Sequence, residues 1–228
     1  QDSFEVFCPK CAAPTRSVAT GEQRPLMPTS VYGWTKKAQE DLARLSAGAY
    51  GTPVVSLRYF NVYGSRQSLI NPYTGIVSIF FSRLRQNQPI SIYEHGAPLR
   101  DFVHVFDVVQ ANLSALERDV PPGSVFNVGS ASEVTVFDVA NALARAVGVS
   151  PKFEDRGEFR VGDIHACVAD LAQTREALNY APAVSLEQGM SEFAAWALQQ
   201  HSVDQYQKTV DELKAVGLFG SSKSVAES

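Results

Sequence analysis

The chain has 228 residues, 45% of them hydrophobic, and its 20 Lys and Arg against 24 Asp and Glu leave a formal net charge of −4. That length fits one large domain or one and a half ordinary ones, and the absence of a basic run or Arg-rich tract argues against a nucleic-acid partner. No apolar stretch approaches the roughly 18–20 residues of a spanning helix, and the start, "QDSFEVF", lacks the basic flank and apolar core of a signal peptide, so the expectation is a soluble, cytoplasmic protein with no membrane partner.

Residues 1–29 hold Cys8, Cys11 and four prolines without periodicity and read as an irregular segment. Three cysteines, an odd number, argue against a disulfide framework and for a reducing compartment. From Ser30 the spacing of Ala38, Leu42, Leu45 and Ala49 predicts a helix that stops near Gly48 and Gly51. "TPVVSLRYF" follows as a β-branched strand, with a turn expected over Asn61 to Gly64.

A polar loop, "SRQSLINPYT", leads to a helix over Gly75 to Gln86, with Ile76, Ile79, Phe80 and Leu84 on one side. Two strands, "PISIY" and "RDFVHV", flank the turn "EHGAP". A helix over Phe106 to Leu116 precedes strand "VFNVG", a helix over Val136 to Val147, strands "PKFED" and "HACVAD", and helices over Leu171 to Leu178 and Leu186 to Gln199. The tail from Ser202 offers one more amphipathic set, Tyr206, Val210, Leu213 and Val216, before the polar end "GSSKSVAES". Alternation of helix and strand through most of the chain predicts an α/β layer architecture.

"YGWTK" puts Tyr32 and Lys36 four residues apart at the start of the first helix, hence on one face. An ammonium beside a phenol stabilises the phenolate, which is what a base for an alcohol proton requires. Taken alone the spacing is common, an exposed Lys beside a half-buried Tyr. It is followed in order by "LRYFNVYG", "RDFVHVFDV", "FNVGS" and "RVGD". With these five motifs, from about Pro28 to Gln199, the sequence resembles the extended short-chain dehydrogenase/reductase family, within it the NAD-dependent nucleotide-sugar epimerases and dehydratases.

The resemblance implies the C-terminal part of a Rossmann-type doubly wound domain plus a smaller mixed α/β substrate-binding domain. It divides the chain into 1–64, an insertion and remnant of the NAD-binding domain, 65–200, mainly the sugar-nucleotide domain with some returning elements, and 201–228, a C-terminal helix and tail. It makes Tyr32 the general base and gives Lys36 the nicotinamide ribose. Tyr59 and Phe60 would lie along the nicotinamide, although both also fit the end of a buried strand. Asn61 would contact the sugar nucleotide and Tyr93 would pack on its base. Arg100 would bind the diphosphate, and Arg160 with Asp163 would grip phosphate and ribose, as a planar guanidinium and a diol-accepting carboxylate can. Leu99 stands where the family usually has Ser or Thr. His104, Asp101, Asp107 and Asn127 read as hydrogen bonders of the fold instead of chemistry.

The strand, glycine-rich turn and helix that cradle a dinucleotide pyrophosphate have no counterpart here, since Gly48 and Gly51 end a helix and lack a third member. With Gln1 in place of Met, the expectation is the C-terminal portion of a longer enzyme, or a chain whose other half comes from a second polypeptide. Cys8 and Cys11 in "CPKC" have the spacing of half a zinc ribbon, so structural zinc, an unmetallated insertion and redox work all stay open. The implied reaction is inversion at C4 of a dTDP- or UDP-linked hexose by a homodimer, and the Cys-bearing insertion with "NPYTG" resembles the dTDP-L-rhamnose 4-epimerase branch. A 4,6-dehydratase and a non-catalytic nucleotide-sugar-binding module are the alternatives.

Overall fold

The computed structural model describes residues 6–71, 75–155, 157–160, 163–204, 206–215, 217 and 219–221. Helix α1 spans Val31–Tyr50. Ser30, in extended backbone, caps it by accepting from the Gly33 amide at 3.1 Å, and Gly51 ends it in the left-handed region at φ 66°, where a side chain would be strained. The helix is where the periodicity places it, but its face is not. Leu42 and Leu45 are 61% and 70% exposed, while the half-buried positions are Gly33, Lys37, Glu40, Asp41, Ala43 and Ala47.

Glu40 explains that orientation. The guanidinium of Arg58, on strand β1 (Ser56–Tyr59), donates to both Glu40 carboxylate oxygens at 2.9 and 2.8 Å and to the Glu22 carbonyl at 2.9 Å. A two-pronged pair of this kind fixes direction as well as distance. It also holds the Glu40 carboxyl below its ordinary range.

Strand β1 lies parallel to a later strand of residues Val125–Val128, from Ser56 opposite Val125 to Tyr59 opposite Val128. The turn expected after it is a strand. At Phe60 the amide still bonds the Val128 carbonyl at 3.0 Å, and one residue on the Asn61 amide bonds the Asp101 carbonyl at 2.9 Å. The chain thus changes partners without turning, and β2 (Asn61–Tyr63) runs parallel to residues Phe102–His104. Asn and Gly imitate a turn signal here. Gly64 is needed because a methyl group at its position would press on the Val105 side chain.

Helix α2 (Ile76–Arg85) and β3 (Ile90–Ile92) follow as expected. "RDFVHV" is two strands, β4 (Leu99–Arg100) and β5 (Phe102–His104), broken at Asp101. Helix α3 is Val105–Glu117, β6 is Val125–Val128, β7 is Val134–Thr135, and α4 is Val136–Val147, opened by a reciprocal Thr135 and Asp138 capping box. Strand β4 pairs in parallel with β10 (Ala166–Cys167) and antiparallel with β7, and β3 pairs in parallel with β8 (Phe153–Asp155). Helices α5 (Ala172–Leu178), α6 (Leu186–Ala197) and α7 (Tyr206–Ala215) complete the set. Three strands had no signal in the sequence: β7, and β9 (Glu158–Arg160), which pairs antiparallel with β11 (Phe219–Ser221) where the stretch read as a polar end begins. Val216 lies outside the described residues.

The architecture is mixed α/β with parallel strand pairs around two apolar cores. Phe81, Ile90, Leu143, Met190 and Phe193 build one from α2, β3, α4 and α6. Val108, Phe126, Val128, Leu171 and Leu178 help build the other from α3, β6 and α5 and the residue before it. Strand β5 serves both, because successive side chains point to opposite faces: Phe102 enters the first core and Val103 the second. Among the described residues no helix is long and apolar enough to cross a membrane.

Candidate active site

The cap at Ser30 starts α1 two residues before Tyr32, so the first turn of the helix carries the phenol and the second its lysine. Lys36 Nζ lies 5.3 Å from the Tyr32 ring centroid and 3.3 Å from Gln39 Oε1, and the Tyr32 side chain is 71% exposed. An exposed phenol with an ammonium over its ring can exchange a proton with an alcohol docked against it. The same pair fits the ribose and nicotinamide side of NAD, where a hydroxyl and an ammonium meet a sugar diol. Nothing in the sequence fits the pyrophosphate side.

Parallel strands collect binding residues at their carboxyl ends, and β1 with β6 ends at Tyr59 and Val128. Tyr59, half-exposed, donates its hydroxyl to Asn112 Oδ1 at 3.0 Å. Phe60 packs against the second core, so the reading of it as a strand-end core residue accounts for its contacts. Asn61 is exposed at the start of β2.

Asp101 holds the neighbouring loop in place. Fully buried, its carboxylate accepts from the Ser130 amide and hydroxyl at 2.6 and 2.8 Å, from the Ala131 amide at 2.9 Å and from the Ala169 amide at 3.1 Å. Gly129 must be glycine for this to fit, because a methyl group there would meet both Asp101 and Ala169. The break between β4 and β5 is therefore a hub that fixes Arg100 relative to the end of β6.

Arg100 and Asp163 come together, with Nη2 to Oδ1 at 2.8 Å, and Arg100 Nη1 also donates to the Leu99 and His165 carbonyls at 2.9 and 3.3 Å. The resemblance has Asp163 and Arg160 together grip phosphate and ribose; among the described side chains Asp163 meets Arg100. Arg160 ends β9, and its side chain lies outside the described residues, as do Val161 and Gly162 of "RVGD" and Pro72 to Thr74 of "NPYTG". Tyr93, just beyond β3, shares a hydrogen bond between hydroxyls with Tyr206. Asn112 and Tyr206 are the partners that sequence reasoning missed. Helical spacing marks Asn112 only as polar, and Tyr206 is 113 positions from its partner.

His104 is only half satisfied. Its Nδ1 accepts from the Phe106 amide at 3.4 Å at the start of α3, but its buried Nε2 has no hydrogen-bond partner and sits 3.8 Å from Glu192 Oε2. Asp107 and Asn127 are fold hydrogen bonders: Asp107 accepts from the Ala183 and Val184 amides, and Asn127 donates to the Thr20 and Asp170 carbonyls.

Cys8 and Cys11 flank a tight turn, with the Ala12 amide on the Cys8 carbonyl at 2.9 Å, and nearby amides hold the Cys8 thiol below its ordinary range. Burial pushes Cys167 up. All three are free thiols. Among the described residues no group of three or more His, Cys, Asp or Glu side chains can hold a metal ion, so the donor set does not fit a zinc centre.

The profile of the NAD dependent epimerase/dehydratase family matches residues 6–129, more than half of the chain. The chain is 40% identical over 173 residues to a dTDP-L-rhamnose 4-epimerase of Burkholderia thailandensis, covering 76% of this chain and 47% of that protein. It is 32% identical to a putative UDP-glucose 4-epimerase of Methanocaldococcus jannaschii, covering 77% and 55%. The chain spans about half the length of the curated relatives it matches. Among solved structures, UDP-glucose 4-epimerase of Thermotoga maritima with UDP-glucose superposes with TM-score 0.71 at 33% identity, over 81% of this chain and 59% of that one. UDP-glucuronic acid 4-epimerase of Bacillus cereus, holding UDP-glucuronic acid and NAD, superposes with TM-score 0.73 at 26% identity, over 87% and 60%. The ordered motifs, the parallel strands and these matches have one explanation: the chain belongs to the NAD-dependent epimerase/dehydratase family.

Proposed function

We infer that the chain forms the catalytic helix and sugar-nucleotide part of an NAD-dependent epimerase that inverts C4 of a dTDP- or UDP-linked hexose. The observation that carries this reading is the exposed Tyr32 hydroxyl with Lys36 Nζ 5.3 Å from its ring, at the capped start of α1. Tyr32 removes the proton from the C4 hydroxyl as the carbon is oxidised, and returns it when the 4-keto sugar has turned over in the cleft. Lys36 stabilises the charge that develops on the phenol oxygen and holds the ribose. NAD, with Lys36 on its ribose and Tyr59 beside the nicotinamide, would supply the hydride acceptor and donor, so none would be consumed.

Arg100 faces the diphosphate, Asp163 and Arg160 the ribose and phosphate, Tyr93 the base, and Asn61 the sugar. In this reading Asp163 also holds the Arg100 fork ready, at 2.8 Å, until phosphate oxygens take its place. Residues 1–64, with α3, β6 and α5 returning to them, belong to the cofactor domain, whose glycine-rich part lies in sequence outside these 228 residues, as the greater length of the relatives supports. The free thiols fit a reducing compartment, the cytoplasm. The apolar side chains exposed along α1, Trp34, Leu42 and Leu45, fit a second copy packed against that helix.

The full-length protein, incubated with dTDP-L-rhamnose, UDP-glucose or UDP-glucuronate, converts one of them to its C4 epimer by NMR without net loss of NAD. Binding without turnover of any of the three would leave a non-catalytic module, and a 4-keto-6-deoxy product would mean a dehydratase.

A further inference from the structure

The described residues after Gln200 are packed against the rest of the molecule. Tyr206 and Val210 of α7 are 7% and 1% exposed, as buried as the cores. The tail attaches first to β3. Arg83, on α2 and itself buried, donates Nε to the Pro89 carbonyl at 2.5 Å, just before that strand. Its Nη1 reaches Asp204 Oδ2 at 3.3 Å, and its guanidinium lies over the Tyr206 ring at 4.6 Å. Asp204 in turn accepts from the Tyr206 amide at 2.9 Å, which sets the start of α7. Beyond the other end of β3, the Tyr206 hydroxyl bonds that of Tyr93. One aromatic ring therefore ties together α2, both ends of β3 and the tail.

The second attachment is to β9. Lys214 Nζ meets Glu158 Oε1 at 2.8 Å, and β11 adds to β9 with Phe219 opposite Arg160. Tyr93 and Arg160, 67 positions apart by their numbers, are thus braced by the same C-terminal stretch. Tyr206 and Val210 are buried but stand outside the two clusters described above.

We propose that the C-terminal segment is a positioning element for the nucleoside diphosphate, in which Tyr206 orients Tyr93 and β11 sets the strand that carries Arg160. This rests on the reading that Tyr93 and Arg160 face the nucleotide. A tyrosine hydroxyl can donate to one partner and accept from others, so the Tyr206 bond helps hold the Tyr93 ring in one orientation. Tyr206 does not touch the reacting carbon in this scheme. Its removal should act on binding and not on the chemical step.

The test uses the full-length enzyme with Tyr206→Phe, which keeps the ring under Arg83 and deletes only the hydroxyl. Titration with UDP and with dTDP, steady-state kinetics and thermal melting are measured side by side. The expected result is affinity for one nucleotide lowered about five-fold, as one hydrogen bond allows, with KM rising in parallel and kcat within about two-fold. The melting temperature stays within about 2 °C, and Tyr93→Phe reproduces the loss. The double variant is no weaker than either single one, because both delete the same bond. Unchanged nucleotide affinity in Tyr206→Phe, in an enzyme whose wild type binds the nucleotide, overturns this inference alone. Losses that add in the double variant overturn it as well. Wild-type enzyme that binds neither nucleotide overturns the underlying reading, and the inference with it.

Discussion

Tyr32 and Lys36 owe their juxtaposition to one helical turn, and Ser30 decides where that turn begins. If the proposed reaction holds, replacing Tyr32 with phenylalanine removes the proton acceptor and leaves the ring beside Lys36, so in the full-length enzyme kcat should fall by about 10²- to 10⁴-fold with KM little changed, as initial rates would register. Asp101 is the opposite case, a charge with a structural task. Asp101→Ala strands four donors from residues 130, 131 and 169, and the unfolding free energy from urea melts should drop by about 3 kcal/mol or more. Arg100 beside it then loses its fixed place, so nucleotide affinity falls in whatever variant still folds. Both residues were legible as types in the sequence. Their roles were not equally so: the Tyr and Lys spacing is local, whereas the donors to Asp101 are 29 to 68 positions away.

At the scale of elements, α1 is held to β1 by charge more than by grease. Glu40 titrates below its ordinary value of 4.5 because Arg58 bonds its carboxylate. A depressed folded value means that the stabilisation is fully present above the unfolded value and fades as pH falls through the folded one. The melting temperature of Glu40→Gln should therefore lie below wild type near pH 7, and the gap should close as the pH drops below about 4.5. Helix α6 approaches β2 through Gly189, where a methyl group would overlap the Tyr63 hydroxyl. Burial already raises the Tyr63 phenol far above its usual range, and the ring is 2% exposed with little room to retreat. Gly189→Ala sets about 1 kcal/mol of helix propensity against an overpacking cost of about 1–3 kcal/mol, and net destabilisation in chemical denaturation is the expected outcome.

Across the whole molecule, the two cores share β5 and interleave along the chain. The exposed apolar row on α1 has no covering partner among the described residues. If a second copy covers that row, Leu45→Asp in the full-length protein should shift sedimentation from dimer toward monomer and leave the fold, read by circular dichroism, unchanged, because Leu45 is 70% exposed here. An unaltered sedimentation coefficient would place any dimer contact elsewhere.

Local chemistry was enough for the helices. Caps, turn glycines and the 3.6-residue repeat act within a few positions, so α1, α2 and α4 begin and end where the sequence says, and the order of five motifs was enough to mark the family. Only the tertiary structure decided which face of α1 turns inward, because a period identifies a stripe but not its partner, and a distant Arg58 outweighed the leucines. It likewise turned Asn61–Tyr63 from a turn into a strand, gave Asp163 to Arg100, and bound the tail to Tyr93. Each of these depends on a hydrogen-bond partner far away in the chain, which residue spacing alone does not encode.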